Sequence, residues 1–203
     1  MISGTTESAT LSRAWFDRPS LDLARDLIGA RLVHRAPEGT VGGRIVEVEA
    51  YAGPEDLAAH SSRGPTARNT VMFGRPGHLY VYLVYGLHHC LNVVAGPGGK
   101  PEAVLVRAVQ IDEGMDVART RRGARPSDTR LASGPGNVGR ALGVDRTLNG
   151  IDLVPGDRML VEPRSGPAPS IAMGPRIGVD YAGPWAARSM RFWISDDPHV
   201  SRR

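Results

Sequence analysis

A chain of 203 residues, 41% hydrophobic and 23% charged, is long enough to bury one proper core and has the mix of a soluble globular protein. Its longest apolar run, Leu79 to Leu87, includes three tyrosines and a glycine, too short and too polar to span a bilayer, and the Ser/Thr-rich start lacks the apolar stretch of a secretory signal. One cysteine, Cys90, excludes an internal disulfide and a cysteine-based zinc site, so a cytoplasmic monomer is expected. The net charge is +4, yet the isoelectric point is about 9.7 and Lys100 is the only lysine. Arginine forks fit phosphate oxygens and suit nucleic acid, although a GC-rich genome would produce the same bias.

Residues 1–13 read as a disordered tail and 14–203 as one domain. Ser20 is placed to cap a short helix whose Leu21, Ala24, Leu27 and Ile28 share a face and which Gly29 stops. A strand follows over 31–34, then a turn through Pro37, Glu38 and Gly39. Alternation from Gly43 to Tyr51 predicts a second strand, with Ile45, Glu47, Glu49 and Tyr51 on one face and Val46, Val48 and Ala50 on the other. Residues 53–77 are a polar loop. The apolar segments 78–85 and 87–94 flank a lone Gly86 and predict a β-hairpin with Tyr85 near its tip. After a Gly/Pro loop at 96–101 comes a strand over 103–110.

In the second half, 112–121 reads as a helix and 123–129 as an exposed Arg/Pro/Ser loop. Ser133–Gly134–Pro135–Gly136 opens a helix that ends at Gly143. Strands are expected at 151–154, 158–162, 177–179 and 190–194, and 163–175, with four prolines, is read as loop. With strands outnumbering helices and no internal repeat, the expected class is α+β: a single mixed domain, a curved, mainly antiparallel sheet with a protruding hairpin and short flanking helices.

Several residues are candidates for chemistry. The glutamates of the second strand would ordinarily point into water, but they share a face with Tyr51 and Ile45, which need cover; a carboxylate beside an aromatic ring can hold and activate a water. His60, behind a Gly-Pro turn, reads on its own as a surface or capping residue. His88 and His89 are strand neighbours on opposite faces, which speaks against a metal site. Tyr80 and Tyr82 share a face and suit ordinary hairpin packing. Tyr85, at the tip, has little protein to bury against, and an exposed aromatic wedge near arginines is what enters a base stack.

The blocks Arg44–Ile45–Val46–Glu47–Val48–Glu49–Ala50–Tyr51, Gly53–Pro54–Glu55–Asp56, Ala58–Ala59–His60–Ser61, Arg68–Asn69, Leu79–Tyr80–Val81–Tyr82, Tyr85–Gly86 and Cys90–Leu91–Asn92 resemble the alkyladenine (3-methyladenine) DNA glycosylase family. So do Val104–Leu105–Val106–Arg107–Ala108, Ser133–Gly134–Pro135–Gly136 and Arg176–Ile177–Gly178–Val179. The resemblance implies excision of alkylated or deaminated purines from double-stranded DNA, without cofactor or metal. It implies Glu49 as the general base, with Arg107 and the Ile177 carbonyl helping to hold the attacking water. Tyr51, His60 and Tyr82 would wall the base pocket, and Asn92 would discriminate against normal guanine. Tyr85 would fill the gap left by the flipped nucleotide, with Leu87 and His88 beside it on the DNA; His88 departs from the aromatic residue of animal members.

Two rivals are weighed. Gly134–Pro135–Gly136–Asn137–Val138–Gly139 superficially matches the phosphate-gripping turn of helix–hairpin–helix glycosylases, which need many long helices. A non-enzymatic module using the tyrosines as a stacking platform would leave Glu49 and Arg107 without a purpose. The single lysine, in the 96–101 loop, argues against the amine chemistry of strand-nicking enzymes.

Overall fold

The computed structural model describes residues 11–123 and 126–202. Of the expected tail, residues 1–10 lie outside the described residues, as do Ala124 and Arg125 of the expected loop. Leu11 packs on the core, and a short helix α1, Arg13–Phe16, buries Phe16 and ties Arg13 to the Asp152 carboxylate. Helix α2, Ser20–Leu27, is amphipathic as expected, but Ser20 is not its cap. Pro19 precedes it, and the Ser20 N–H donates to Glu102 Oε2 at 2.6 Å.

Eight strands form one antiparallel sheet: β1 Arg31–Ala36, β2 Gly39–Tyr51, β3 Leu79–Val84, β4 His88–Ala95, β5 Glu102–Glu113, β6 Met159–Glu162, β7 Ile171–Pro175 and β8 Ser189–Ile194. Their order is β3-β4-β5-β2-β1-β6. The long β2 runs along β5 on one side; on the other it pairs first with β1 and then, over Glu47–Glu49, with β8, which carries β7 outside it. Helices α3, Met115–Arg122, and α4, Pro135–Leu142, complete the α-helices among the described residues. No described α-helix exceeds eight residues, which removes the helix–hairpin–helix alternative, and none is long and apolar enough to cross a membrane.

Strand alternation sorts the sheet into two faces. Leu79, Val81, Leu91, Val93, Val104, Val106, Val48 and Ala50 join the main core, covered by Leu23 and Leu27 of α2 and Val138, Ala141 and Leu142 of α4. The intervening Tyr80, Tyr82, Asn92, Leu105, Arg107, Glu49 and Tyr51 line a cleft on the other face. One feature breaks the expected parity. Register shifts between Ile45 and Glu47, and again between Glu47 and Val48, send Ile45 into the main core with Val46, so Ile45 does not share the glutamate face. The second shift leaves Arg107 as the extra residue of β5, between Ala108 opposite Glu47 and Val106 opposite Val48. Bulges commonly re-aim a side chain in this way.

Other departures have local causes. Strand β5 continues to Glu113, and the left-handed Gly114 (φ 68°) delays α3 to Met115. Segment 151–154 forms only a single bridge, Asp152 to His78. Residues 171–175 are a strand despite the four nearby prolines, because β7 pairs only with β8 and an edge tolerates Pro175. Residues 177–179 are not a strand; Gly178 (φ 75°) bends the chain into a 3-10 turn, Asp180–Trp185. Helix α4 lies flat on β4: a Cβ at Gly139 would stand 2.1 Å from the His89 carbonyl oxygen, and one at Gly136 would stand 2.8 Å from the His88 ring.

Candidate active site

The cleft has a volume of about 340 Å³, at the lower end of the range for small-molecule sites. Strand β2 supplies Glu49 and Tyr51, β3 Tyr80 and Tyr82, β4 Asn92, and β5 Leu105 and Arg107. Its remaining lining includes His60, from the 3-10 turn His60–Arg63, Ile177 from the bend after β7, and Tyr85 and Pro135. The structure therefore brings together all seven residues expected to do chemistry or line the pocket: Glu49, Arg107, Ile177, Tyr51, His60, Tyr82 and Asn92.

Glu49 is wholly buried, which is costly for a carboxylate unless donors replace water. Three do. Its Oε1 accepts the Ile177 N–H at 2.8 Å and lies 3.2 Å from Arg107 Nη1, and its Oε2 accepts the Tyr51 hydroxyl at 2.9 Å. Ile177 thus contacts Glu49 through its N–H, a group distinct from the carbonyl expected to help hold the water. Among the described residues Oε2 has one partner, so a second lone pair remains for a water.

Electrostatics fix the protonation of the surrounding groups. Burial works against the charge of Arg107, but Glu49 and Glu47 outweigh it and raise its pKa. Burial, reinforced by the charge of Glu49, pushes Tyr51 well above its usual value, so it donates as a neutral phenol. Burial raises Tyr80 to about 12 and lifts Tyr82 as well. His60 is lowered to about 4, first by burial and then by the charge of Arg68, so its imidazole is neutral near pH 7.

The aromatic wall is braced by residues that sequence reasoning left as packing or did not single out. His60 Nδ1 lies 2.9 Å from the Tyr80 hydroxyl, and its ring meets Tyr82 edge-on at 4.6 Å. Asn69 Nδ2 donates to the His60 carbonyl at 2.8 Å, and Asn92 Nδ2 donates to the Tyr80 carbonyl at 3.1 Å. Two guanidiniums stack on the walls: Arg68 over Tyr82 at 4.9 Å and Arg176 over Tyr51 at 4.7 Å. Arg176 is also held by the buried Asp56, whose carboxylate accepts the N–H groups of Ala52 and Ala58. The turn in which Asp56 accepts the Ala58 N–H is a local pattern, but nothing local pairs the acid with Arg176.

At the mouth, the hairpin loop is Tyr85–Gly86–Leu87, one residue to either side of the glycine on which the sequence hinged it. Val84 pairs with His88, and the Leu87 N–H donates to the Val84 carbonyl at 3.0 Å. Both Tyr85 (φ 51°) and Gly86 (φ 67°) are left-handed. For tyrosine that backbone costs roughly 1–3 kcal/mol, and its ring is 90% exposed. Leu87 is exposed beside it, whereas His88 is half-buried against Gly136 of α4. Tyr181, exposed on the rim, is a lining residue that sequence reasoning missed.

Comparison with known proteins agrees with this geometry. The family described as methylpurine-DNA glycosylase matches residues 14–198. A protein of Methanocella arvoryzae named "Putative 3-methyladenine DNA glycosylase" is 48% identical over 194 residues, covering 95% of this chain and 96% of its own length. Proteins of the same name from Streptomyces avermitilis (48% over 197 residues, 94% and 90% covered) and Myxococcus xanthus (45% over 192 residues, 95% and 93% covered) are similar throughout.

Proposed function

This chain belongs to the methylpurine-DNA glycosylase family, and from that premise we propose that it hydrolyses the N-glycosidic bond of an alkylated or deaminated purine flipped out of duplex DNA, leaving the strand uncut. The observation that carries the reading is a wholly buried carboxylate, Glu49, at an aromatic-walled cleft, ordered by two hydrogen-bond donors and an arginine, with one lone pair left over.

Flipping a nucleotide costs a few kcal/mol, least for a lesion that pairs badly. Alkylation at purine N3 or N7 weakens pairing and makes the base a cation, which leaves as a neutral molecule. Aromatic faces such as Tyr51 and Tyr82 favour a cation by about 0.5–2 kcal/mol per good contact. A water held on Glu49 Oε2 forms the new bond to C1′ as the C1′–N bond breaks. Its proton passes to Glu49, and the base departs with the bonding electron pair, an alkylated cation leaving as a neutral molecule and a neutral deaminated base taking up a proton as it leaves. His60, neutral near pH 7, offers a hydrogen bond to the base rather than a proton.

The single lysine supports the monofunctional part of the reading. Lys100 Nζ lies 3.2 Å from Glu102 and 3.4 Å from Glu55. Although burial opposes it, these acids raise its pKa, the opposite of what a nucleophilic amine needs. Duplex DNA with one defined lesion should yield an intact abasic strand that breaks only after alkali. Strand breakage without alkali, or a borohydride-trapped adduct dependent on Lys100, would overturn this part.

The hairpin tip gives a second test. If Tyr85 fills the hole left by the flipped nucleotide, its ring replaces stacking worth about 1–3 kcal/mol. Tyr85→Gly should then weaken lesion-duplex binding by about 5- to 150-fold while raising the melting temperature slightly, because glycine relieves the left-handed strain. Tyr82→Ala should lose both excision and stability, since that ring packs on His60 and Tyr80. Normal lesion binding by Tyr85→Gly, measured at one stated salt concentration, would remove the wedge role.

A further inference from the structure

Glu47 is as deeply buried as Glu49 but lies behind it, outside the cleft lining. Its Oε1 accepts Arg107 Nε and Arg191 Nη1, each at 3.0 Å, and its Oε2 accepts the Ser201 N–H at 2.6 Å. A buried anion with two arginines is seldom a gain over apolar packing, so its presence calls for a reason beyond stability. Both groups that meet Glu49 Oε1, the Ile177 N–H and the Arg107 guanidinium, trace back to it. Arg107 touches the two glutamates at once, Nε on Glu47 and Nη1 on Glu49. Arg191 donates through Nε to the Pro175 carbonyl at 3.0 Å, two residues before the Ile177 N–H. The C-terminal segment closes the network: Arg191 Nη1 donates to the Arg202 carbonyl at 2.8 Å, and Arg107 Nη2 reaches Ser201 Oγ at 3.4 Å.

The geometry points to Glu47, with the 201–202 backbone behind it, as the positioning residue that keeps Arg107 on one oxygen of Glu49. A free guanidinium prefers to fork across both oxygens of a carboxylate. Held through Nε by Glu47, Arg107 reaches Oε1 alone, and Oε2 keeps the lone pair that a water needs. Released from Glu47, Arg107 would fork onto Glu49 and occupy that lone pair. The role rests on the proposed glycosylase activity and extends it to a residue that touches neither base nor water.

The test is single-turnover base release, read with lesion-duplex binding and thermal melting, for Glu47→Gln alone and combined with Arg107→Gln. Glu47→Gln should lower release by about tenfold or more, short of the loss expected for Glu49→Gln, with binding unchanged. In the Arg107→Gln background the same substitution should cost clearly less, because the group it positions is gone and only the arm through Arg191 and Pro175 is left to loosen. Ser201→Pro removes the N–H on Glu47 without burying or freeing a charge, and serves if Glu47→Gln does not fold. It should slow release several-fold, and again by less once Arg107 is absent. Undiminished release by a folded Glu47→Gln protein, or equal losses with and without Arg107, would overturn the positioning role. If the unsubstituted protein releases no base from any lesion, the glycosylase reading itself fails, a result distinct from either.

Discussion

Glu49→Gln is expected to lower base release by at least ~10²-fold, the low end for a lost general base, while lesion-duplex binding persists. The substitution is nearly isosteric. The amide oxygen can still accept the Ile177 N–H that now meets Oε1 at 2.8 Å, and Arg107 retains Glu47 at 3.0 Å, so no arginine is left without a carboxylate. What disappears is the ability to take a proton from water and the negative charge facing a developing oxocarbenium centre. The aromatic walls and the hairpin tip, which would carry binding, are untouched. Glu47→Gln should cost less, because Glu47 acts through Arg107 rather than on the water. Single-turnover rates at saturating protein, set beside binding titrations, resolve the two terms. A larger loss for Glu47→Gln than for Glu49→Gln would mean that the base has been assigned to the wrong strand position.

The main strands and α4 were legible because simple periodicity governs them: alternation in β3, β4 and β5, and a Pro start with a Gly stop in α4. The reading failed where tertiary pairing overrides local pattern. Ile45 looked like a partner of Glu47 and Glu49 because strict alternation was assumed, and the register shift at Glu47 that breaks it depends on β5. Segment 171–175 reads as loop because its proline and glycine, and the three prolines just before it, carry no strand signal, yet β8 offers it an edge. The stretch 177–179 looked like strand, and Gly178 turns it into the bend that aims the Ile177 N–H at Glu49.

Most residues now found around the cleft were named through resemblance to a family, not through pattern. Taken alone, His60 reads as a surface residue, because nothing local shows that Tyr80, twenty positions on, meets its ring nitrogen. Tyr80 itself, Asn69, Asp56, Arg176 and Tyr181 went unassigned for the same reason. Each acts through a contact between elements distant in sequence, and no local spacing rule encodes those pairings. Tyr85 is the exception. An aromatic ring next to a hairpin glycine has nothing to pack on, and the structure leaves it 90% exposed on a strained backbone.

Asp56→Ala should be the most destabilising single change near the site. The carboxylate and the Arg176 guanidinium are both shielded from solvent and form a two-pronged pair, with Nη2 donating to Oδ1 at 2.8 Å and Nη1 to Oδ2. Removing the acid strands a buried cation and frees the Ala52 and Ala58 N–H groups, at a cost of about 3–5 kcal/mol. For a domain of this size that corresponds to roughly 6–20 °C in melting temperature. Adding Arg176→Met removes the stranded charge at similar volume, so the double variant should melt above Asp56→Ala alone. Its excision should nonetheless stay low. Arg176 stacks on Tyr51, donates to the Ala50 carbonyl at 2.9 Å and precedes Ile177, so losing it loosens both hydrogen-bond donors on Glu49. Calorimetry and single-turnover release on the same three proteins separate the effects. Melting of Asp56→Ala within about 2 °C of the parent, less than 1 kcal/mol, would show that water or a rearranged loop compensates the charge, and the pair would not be the clamp described here.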